Sequence, residues 1–183
     1  AQDTNIIWII GGDRPPVHEG QDWRPVWRAM AAGIRAGVGG PCAITYHPPG
    51  GNDRSTSVHL HEEEWLDFNM IQSGHGSGHD TPVWDAIARD YALTPVKPTL
   101  DAEPNYEDHP SLGTGERFTA AEVRRASYWS LLVTPPAGVS YGHFSLWAWA
   151  SSPELVGDAI RNQPEYTLEP WWTVLDTLGA QSM

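Results

Sequence analysis

Short apolar runs alternate along the chain with longer segments in which apolar residues recur at helical spacing. The first run, residues 5–10, is rich in β-branched residues and ends at two glycines, which predicts a strand buried on both faces. Four further strands are predicted at residues 42–46, 66–71, 98–102 and 138–141.

Helical patterns follow these runs. The first helix places Trp23, Trp27, Met30 and Ile34 on one face and ends in the glycine-rich stretch 37–40. Three more helices are predicted: one with Trp84, Ile87, Ala88 and Tyr91 on one face, one opened by the capping box of Thr119 and Glu122 and running to about Val133, and the start of one at residues 170–178.

Strands that alternate with helices imply right-handed crossovers and a parallel sheet, and therefore an α/β fold. An eight-stranded β/α barrel of the TIM type needs about 250 residues. With 183 residues and five βα units, the chain predicts an incomplete (β/α)8 barrel. No interdomain linker interrupts it, so residues 1–183 are expected to form a single partial barrel domain.

Composition narrows the possible partners. Hydrophobic residues make up 40% and charged residues 19% of the chain, a balance typical of globular proteins. No apolar run reaches the roughly 18 residues that span a bilayer. A net charge of -12 with 11 Lys and Arg disfavours nucleic acids and anionic membrane surfaces. We therefore expect neither as a partner.

Cysteine and tryptophan usage add two expectations. The single cysteine, Cys42, is expected to fill a small apolar space in the core rather than act as a nucleophile. Ten tryptophans recur from Trp8 to Trp172. Most are expected in the core and some in a ligand site.

Carboxylates follow two of the predicted strands, Asp13 after the first and Glu103 after the fourth. Glycoside hydrolysis needs one protonated and one ionised carboxyl group, which different environments provide. Arg14 adjoins Asp13 and favours its ionised form. To act as an acid, Asp13 must therefore be kept protonated by burial or by the negative charge of Glu103.

Three neighbouring carboxylates remain alternatives for the second catalytic group: Asp101, Glu107 and Asp108. Asp101 is expected to point into the barrel and orient its neighbours, whereas Glu107 and Asp108 are expected to be solvated loop charges. Candidate substrate-binding residues occupy the same loops: Arg14, His47, Gln72, His75, Asn105, Tyr106, His143 and Trp147. Polar groups of this kind bind sugar hydroxyls, while Trp147 offers a flat apolar face to a sugar ring.

Five segments, in order, resemble the catalytic domain of apiosidase-like glycoside hydrolases: WIIGGDR at 8–14, ITYHP at 44–48, FNMIQSGH at 68–75, LDAEPNYE at 100–107 and YGHFSLW at 141–147. The resemblance implies a β/α barrel in which Asp13, after the fourth strand, is the acid/base. Glu103, after the seventh, would be the nucleophile of a retaining mechanism without a cofactor.

The family precedent is release of apiose from pectic rhamnogalacturonan II, which implies a complex polysaccharide as substrate and a secreted or periplasmic location. In this alignment the first three barrel strands are absent and the last helix stops early. We therefore expect another chain or segment to complete the barrel.

Two other functions remain open. A metal-dependent hydrolase on the same barrel would draw on His47, His59, His61, His75, His79, His109 and His143. A non-catalytic glycan-binding or structural protein derived from such a barrel is the second alternative.

Overall fold

The computed structural model describes residues 6–76, 83–135, 137–149, 151 and 169–182. Within this part of the chain the strands are β1 (Ile7–Gly11), β2 (Val17–His18), β3 (Gln21–Asp22), β4 (Ala43–His47), β5 (Asn69–Ile71), β6 (Thr99–Asp101) and β7 (Gly138–Val139). The helices are α1 (Arg24–Val38), α2 (Ser57–Leu60), α3 (Trp84–Tyr91), α4 (Ala120–Leu132) and α5 (Phe144–Ala148). Short 3₁₀ turns occupy Gly51–Asp53, Trp171–Val174 and Ala180–Ser182.

The longer strands run parallel. β1 pairs with β4 from Ile7 opposite Ala43 to Gly11 opposite His47. In a second sheet β6 lies between β5 and β7. In the sequence between β1 and β4, β2 and β3 form a small antiparallel hairpin that the apolar pattern did not predict.

The two parallel sheets meet where β4 lies against the chain entering β5. The hydroxyl of Thr45 donates to the carbonyl of Phe68 at 2.8 Å, and the N–H of Asp67 donates to the carbonyl of Ile44 at 3.0 Å. Among the described residues, β1 pairs only with β4 and β7 only with β6. The barrel is therefore open between β1 and β7.

The first core cluster lies between α1 and the β1–β4 sheet. It contains Ile10, Ile44 and Tyr46, with Trp8 and Trp27 packed against it. On the other face of β1, Ile7 and Ile9 are 53% and 48% exposed. The prediction that this strand is buried on both faces is therefore wrong: α1 covers one face, and no described element covers the other.

Three helix predictions are confirmed. α1 ends at Gly39, whose left-handed φ of 71° lets its N–H donate to the carbonyl of Arg35. α4 begins with the predicted capping box of Thr119 and Glu122. α3 also forms where predicted, and Cys42 packs partly buried against the first core cluster.

Two details differ from the prediction. Residues 170–178 form only a single 3₁₀ turn, Trp171–Val174, instead of the start of a longer helix. In α3, Tyr91 is 39% exposed, and the charged side chain of Asp90 is fully buried beside Ile87. Asp90 is tolerated in this position because the hydroxyls of Ser55 and Ser57 donate to it. None of the helices in the described ranges is long and apolar enough to cross a membrane.

Candidate active site

Glu103 lies at the centre of a cluster of polar side chains at the carboxyl ends of β4, β5 and β6. The amide nitrogen of Gln72 donates to its Oε1 at 2.9 Å, and Nε2 of His47 lies 2.8 Å from its Oε2. Nε2 of His75 lies 3.3 Å from Oε1, near enough for a charge contact but without the alignment of a hydrogen bond. The structure thus brings together four residues that the sequence placed in three separate loops.

These contacts fix the charge of Glu103. Burial raises its pKa, but the interactions with His47 and His75 outweigh burial and lower the pKa to about 2. The hydrogen bond to Glu103 raises the pKa of His47 in turn. Glu103 is therefore an ionised carboxylate over the whole physiological pH range.

Asp13 lies within electrostatic range of this cluster. Its negative charge helps to raise the pKa of His47, after the larger effect of Glu103, and also the pKa of the Tyr106 phenol, which burial raises most. The carboxylate of Asp13 therefore lies within electrostatic range of both rings. Asp13 and Arg14 are exposed. Burial therefore does not provide the support that the sequence analysis required for an acid role of Asp13.

The loop that carries Asp13 is held by Tyr46 of β4. The Tyr46 hydroxyl donates to the carbonyl of Arg14 at 2.8 Å, and burial raises the pKa of this phenol to about 12, so it remains a donor. Gly11 has a φ of 77°, and a Cβ added there would lie 2.3 Å from the Tyr46 ring. The predicted glycine signal after β1 therefore marks the position where the loop crosses an aromatic ring.

The loops after β5 and β6 are locked together. The N–H of Gly74 donates to the carbonyl of Glu103 at 2.9 Å, and a Cβ on Gly74 would lie 2.4 Å from the Pro104 carbonyl. The next N–H, that of His75, donates to Oδ1 of Asn105 at 3.0 Å. Asn105 is therefore engaged in shaping the loop through its oxygen atom.

Aromatic rings extend from Glu103 along one wall of the site. The His75 ring stacks on His109 with centroids 4.2 Å apart and meets Tyr106 edge-on at 4.3 Å. His109 in turn contacts Trp147 at 5.8 Å. Trp147 is 49% exposed, so one face of its indole is open to a ligand.

Two buried side chains in this wall carry unpaired polar atoms. Neither ring nitrogen of His75 has a hydrogen-bond partner among the described residues, and the same holds for Oε1 of Gln72. Buried polar atoms are rarely left unpaired in folded proteins. Their position beside Glu103 leaves them available to a polar ligand.

His143 has a structural role. Its Nδ1 accepts a hydrogen bond from the N–H of Ser145 at 3.1 Å and thereby caps α5. Burial lowers the pKa of His143. Beside it, a Cβ on Gly142 would lie 2.1 Å from the Tyr106 ring, so Gly142 leaves the space that this ring occupies.

His109 is the site residue that the sequence analysis did not place among the binding candidates. Nδ1 of His109 donates to the carbonyl of Pro110 at 2.7 Å, and burial lowers the pKa of this imidazole to about 4. It is therefore neutral at physiological pH. Its only sequence signal is that it shares a loop with Glu103.

The neighbouring carboxylates do not join the site. Oδ2 of Asp101 accepts hydrogen bonds from Ser73 at 2.8 Å and from Ser130 of α4 at 2.6 Å. The expectation that Asp101 points into the barrel is therefore wrong, because the alternation of side chains along β6 directs it toward the helix layer. Burial raises the pKa of Asp101 to about 6.

Glu107 is not the solvated charge that we expected, whereas the side chain of Asp108 remains 40% exposed. Oε2 of Glu107 accepts hydrogen bonds from the hydroxyls of Tyr141 and Thr177, both at 2.7 Å. Asp108 forms an ion pair with Arg117 at 3.2 Å. Both residues stabilise the long loop that follows β6.

The remaining histidines do not form a metal site in the described part of the chain. Nε2 of His61 donates to the carbonyl of Pro95 at 2.9 Å, and His59 lies near Asp53 at 3.9 Å. No three His, Cys, Asp or Glu side chains among the described residues are arranged to hold a metal ion. His79 lies outside the described residues.

A cavity of about 860 Å³ lies away from Glu103, on the outer side of α1. Its arginines are already paired: Arg28 with Glu63 at 2.6 Å and Arg35 with Asp67 at 3.2 Å. None of the candidate catalytic or substrate-binding residues lines this cavity. Its size alone gives no reason to place the chemistry there.

The chain is similar to one known family and to solved structures. The family model for the apiosidase-like catalytic domain matches residues 1–183. No curated protein matches the chain. It is similar to the crystal structure of a glycoside hydrolase family 5 protein from Bacteroides vulgatus ATCC 8482, with 31% identity and a TM-score of 0.74 over 97% of this chain and 39% of that one.

A second solved structure, described as a glycoside hydrolase, is 30% identical with a TM-score of 0.78, over 96% of this chain and 40% of that one. The chain thus spans about 40% of the length of the solved structures that it matches. The open arrangement of parallel strands is similar to part of these TIM-barrel proteins. The resemblance found in the five sequence segments is confirmed, and the chain belongs to the apiosidase-like catalytic-domain family.

Proposed function

We propose that this chain carries the catalytic site of a retaining glycosidase with Glu103 as the nucleophile. The observation that carries the proposal is the position of Glu103, whose two carboxylate oxygens contact Gln72 at 2.9 Å and His47 at 2.8 Å, in surroundings that lower its pKa to about 2. Attack on an anomeric carbon requires an ionised carboxylate held in a fixed orientation. Hydrogen bonds from Gln72 and His47 to different oxygens provide that orientation.

Asp13 is the proposed acid/base. Protonation of the leaving oxygen requires a second carboxyl group that faces the nucleophile across the sugar. Asp13 reaches the site electrostatically through His47 and Tyr106, and its exposure allows proton exchange with solvent. Arg14 adjoins it and is proposed to contact the substrate.

Substrate hydroxyls have partners in the wall of the site. We assign the unpaired Oε1 of Gln72 and the unpaired ring nitrogens of His75 to sugar hydroxyls. The open indole face of Trp147 suits the apolar face of a sugar ring. The wall is completed by Tyr106, Asn105 and His143. Oδ1 of Asn105 and Nδ1 of His143 already accept hydrogen bonds from backbone N–H groups.

The proposed substrate is a complex plant-type polysaccharide, with the rhamnogalacturonan II side chains of the family precedent as the first choice. The open edges of β1 and β7 further suggest that another chain or segment completes the barrel. Such a segment would cover the exposed face of β1, where Ile7 and Ile9 lie.

A panel of pectic and hemicellulosic oligosaccharides with product analysis tests the activity. Glu103→Gln should lower turnover by at least about 1,000-fold without unfolding the protein, since the amide cannot form the glycosyl intermediate. Glu64→Gln, at an exposed glutamate that lines the outer cavity, is the matched control and should keep full activity. Unchanged turnover in Glu103→Gln would exclude this nucleophile.

A second candidate function is glycan binding without hydrolysis. The unpaired polar atoms beside Glu103 and the open indole face of Trp147 would then hold a sugar that is not cleaved. Oligosaccharide binding by calorimetry with no product from any member of the panel would support this second candidate over the first.

A further inference from the structure

An exposed group of tryptophans lies just beyond α5. Trp149 is 63% exposed, and its indole stacks on that of Trp171 with centroids 4.3 Å apart and an angle of 8° between the planes. Trp172, 51% exposed, meets Trp171 edge-on at 5.7 Å. We call Trp149, Trp171 and Trp172 the tryptophan platform.

Core packing does not account for this arrangement. Trp149 has a φ of 47°, a left-handed conformation that bulky residues rarely adopt. In this conformation its N–H bonds back to the carbonyl of Leu146 and closes α5. Its indole nevertheless remains largely in water. Strained backbone and clustered exposed aromatic surface both occur preferentially at binding sites.

The tryptophan platform begins just beyond the helix that ends the aromatic wall of the candidate active site. Trp147 belongs to α5 and contacts His109, and Trp149 is the residue that closes the end of α5. His109 stacks on His75, which touches Glu103. A series of ring contacts therefore leads from the proposed nucleophile to α5, whose end carries Trp149.

The chemistry of the platform suits a carbohydrate. One face of Trp149 is covered by Trp171 and the other is open, which leaves a flat apolar surface about the size of one sugar ring. Glu169 lies two residues before Trp171 and is exposed, so its carboxylate can accept hydrogen bonds from sugar hydroxyls. The hydroxyl of the exposed Thr173 already donates to the carbonyl of Pro170 at 2.7 Å.

We propose that the tryptophan platform is an outer glycan subsite, which holds a sugar remote from the bond cleaved at Glu103. This inference rests on the proposed function, because it takes the reacting sugar to lie at Glu103. It adds that substrate chains long enough to reach Trp149 bind more tightly than short ones.

The test uses Glu103→Gln, which should bind substrate without cleaving it. Rhamnogalacturonan II oligosaccharides and xylan oligosaccharides of increasing length are titrated while tryptophan fluorescence and heat are recorded. We expect Trp149→Ala in this background to weaken binding of the longer chains about tenfold and to leave binding of monosaccharides unchanged. Trp23→Ala, at an exposed tryptophan preceding α1, is the control and should change neither.

The subsite proposal would be overturned if Trp149→Ala lowered the affinity for short and long oligosaccharides equally, or if the protein bound no glycan at all. A change in self-association of Trp149→Ala without a change in glycan affinity would also overturn it, since the platform would then be a protein interface. An aryl glycoside too short to reach Trp149 tests the proposed function separately. If Glu103→Gln leaves its hydrolysis unchanged while length-dependent binding persists, the nucleophile assignment fails and the subsite stands.

Discussion

Nε2 of His47 lies 2.8 Å from Oε2 of Glu103, while Nδ1 of the same ring lies 2.8 Å from the carbonyl oxygen of Pro48. Both ring nitrogens thus face oxygen atoms that can only accept hydrogen bonds. An imidazole donates from both nitrogens only when it is protonated. The geometry therefore makes His47 a cation and Glu103 its anion, and each charge stabilises the other.

Replacing His47 should change the titration of Glu103. In His47→Gln the cation is lost, so the pKa of Glu103 should rise from about 2 toward its ordinary value of 4.5. Carbon NMR of the glutamate carboxyl groups over an acid titration measures the shift. His59→Gln is the control because His59 lies by the outer cavity. A Glu103 pKa that is the same in both variants would show that His47 does not set its charge.

The same pair predicts a pH window for activity. Glu103 has a lowered pKa, so its ionised state is present above pH 4.5 and is lost only as the pH falls through about 2. His47 has a raised pKa, so its contribution is complete below 6.5 and is lost as the pH rises through the raised value. We expect the alkaline decline of kcat/KM to include deprotonation of His47, so His47→Gln should lose that part of the decline and its profile should fall at a different pH from that of the parent. An alkaline limb identical in the parent and His47→Gln would assign the whole decline to another group, such as the proposed acid/base.

Gly142 should tolerate no side chain. In Gly142→Ala the new Cβ would lie 2.1 Å from the Tyr106 ring, which must then move within the site. Overpacking of this kind costs about 1–3 kcal/mol. Gly33→Ala, in an exposed part of α1 where a Cβ meets nothing within 4 Å, is the control and should stabilise the protein by about 1 kcal/mol. Thermal unfolding of both variants measures the difference, and equal shifts would show that Tyr106 yields freely.

The sequence predicted the positions of Asp13 and Glu103 because the carboxyl ends of parallel strands share one edge, and apolar runs mark where strands end. It did not predict His109, because the stacking of that ring on His75 joins loops that follow different strands. The direction of the Asp101 side chain was not predicted because successive side chains of a strand point to opposite faces. An error of one residue in the register of β6 therefore places Asp101 on the wrong face. The burial of Ile7 and Ile9 was overestimated. An apolar run indicates that both faces of a strand can be buried, but it does not show which elements cover each face.

The capping box of α4 should contribute to stability. The N–H of Glu122 donates to the Thr119 hydroxyl, and the N–H of Thr119 donates to the Glu122 carboxylate at 2.7 Å. Thr119→Ala removes the first of these bonds and should lower the free energy of unfolding by about 1 kcal/mol. Thr119→Ser, which keeps the hydroxyl, should stay within about 0.5 kcal/mol of the parent in urea unfolding. A loss of the same size in both variants would mean that the methyl group, not the cap, is responsible.

Asp101 should make stability depend on pH in the direction opposite to that of Glu103. Burial raises the pKa of Asp101 from 3.8 to about 6, so the folded protein holds this proton more tightly than the unfolded chain does. The free energy of unfolding should therefore fall as the pH rises from about 4 to about 6, by on the order of 1.4 kcal/mol per pKa unit. Asp101→Asn stays neutral throughout and can still accept hydrogen bonds from Ser73 and Ser130 through its amide oxygen.

The difference in stability between Asp101→Asn and the parent should therefore shift in favour of the variant across this range. Urea unfolding at a series of pH values measures it. Asp176→Asn, at an exposed carboxylate, is the control and should show no such trend. A constant difference between Asp101→Asn and the parent would mean that the carboxyl group is already ionised when buried, held by the two serine hydroxyls at 2.6 and 2.8 Å. In that case Asp101 would be a permanent anion linking β6 to α4, and the loop carrying Glu103 would begin beside a fixed negative charge.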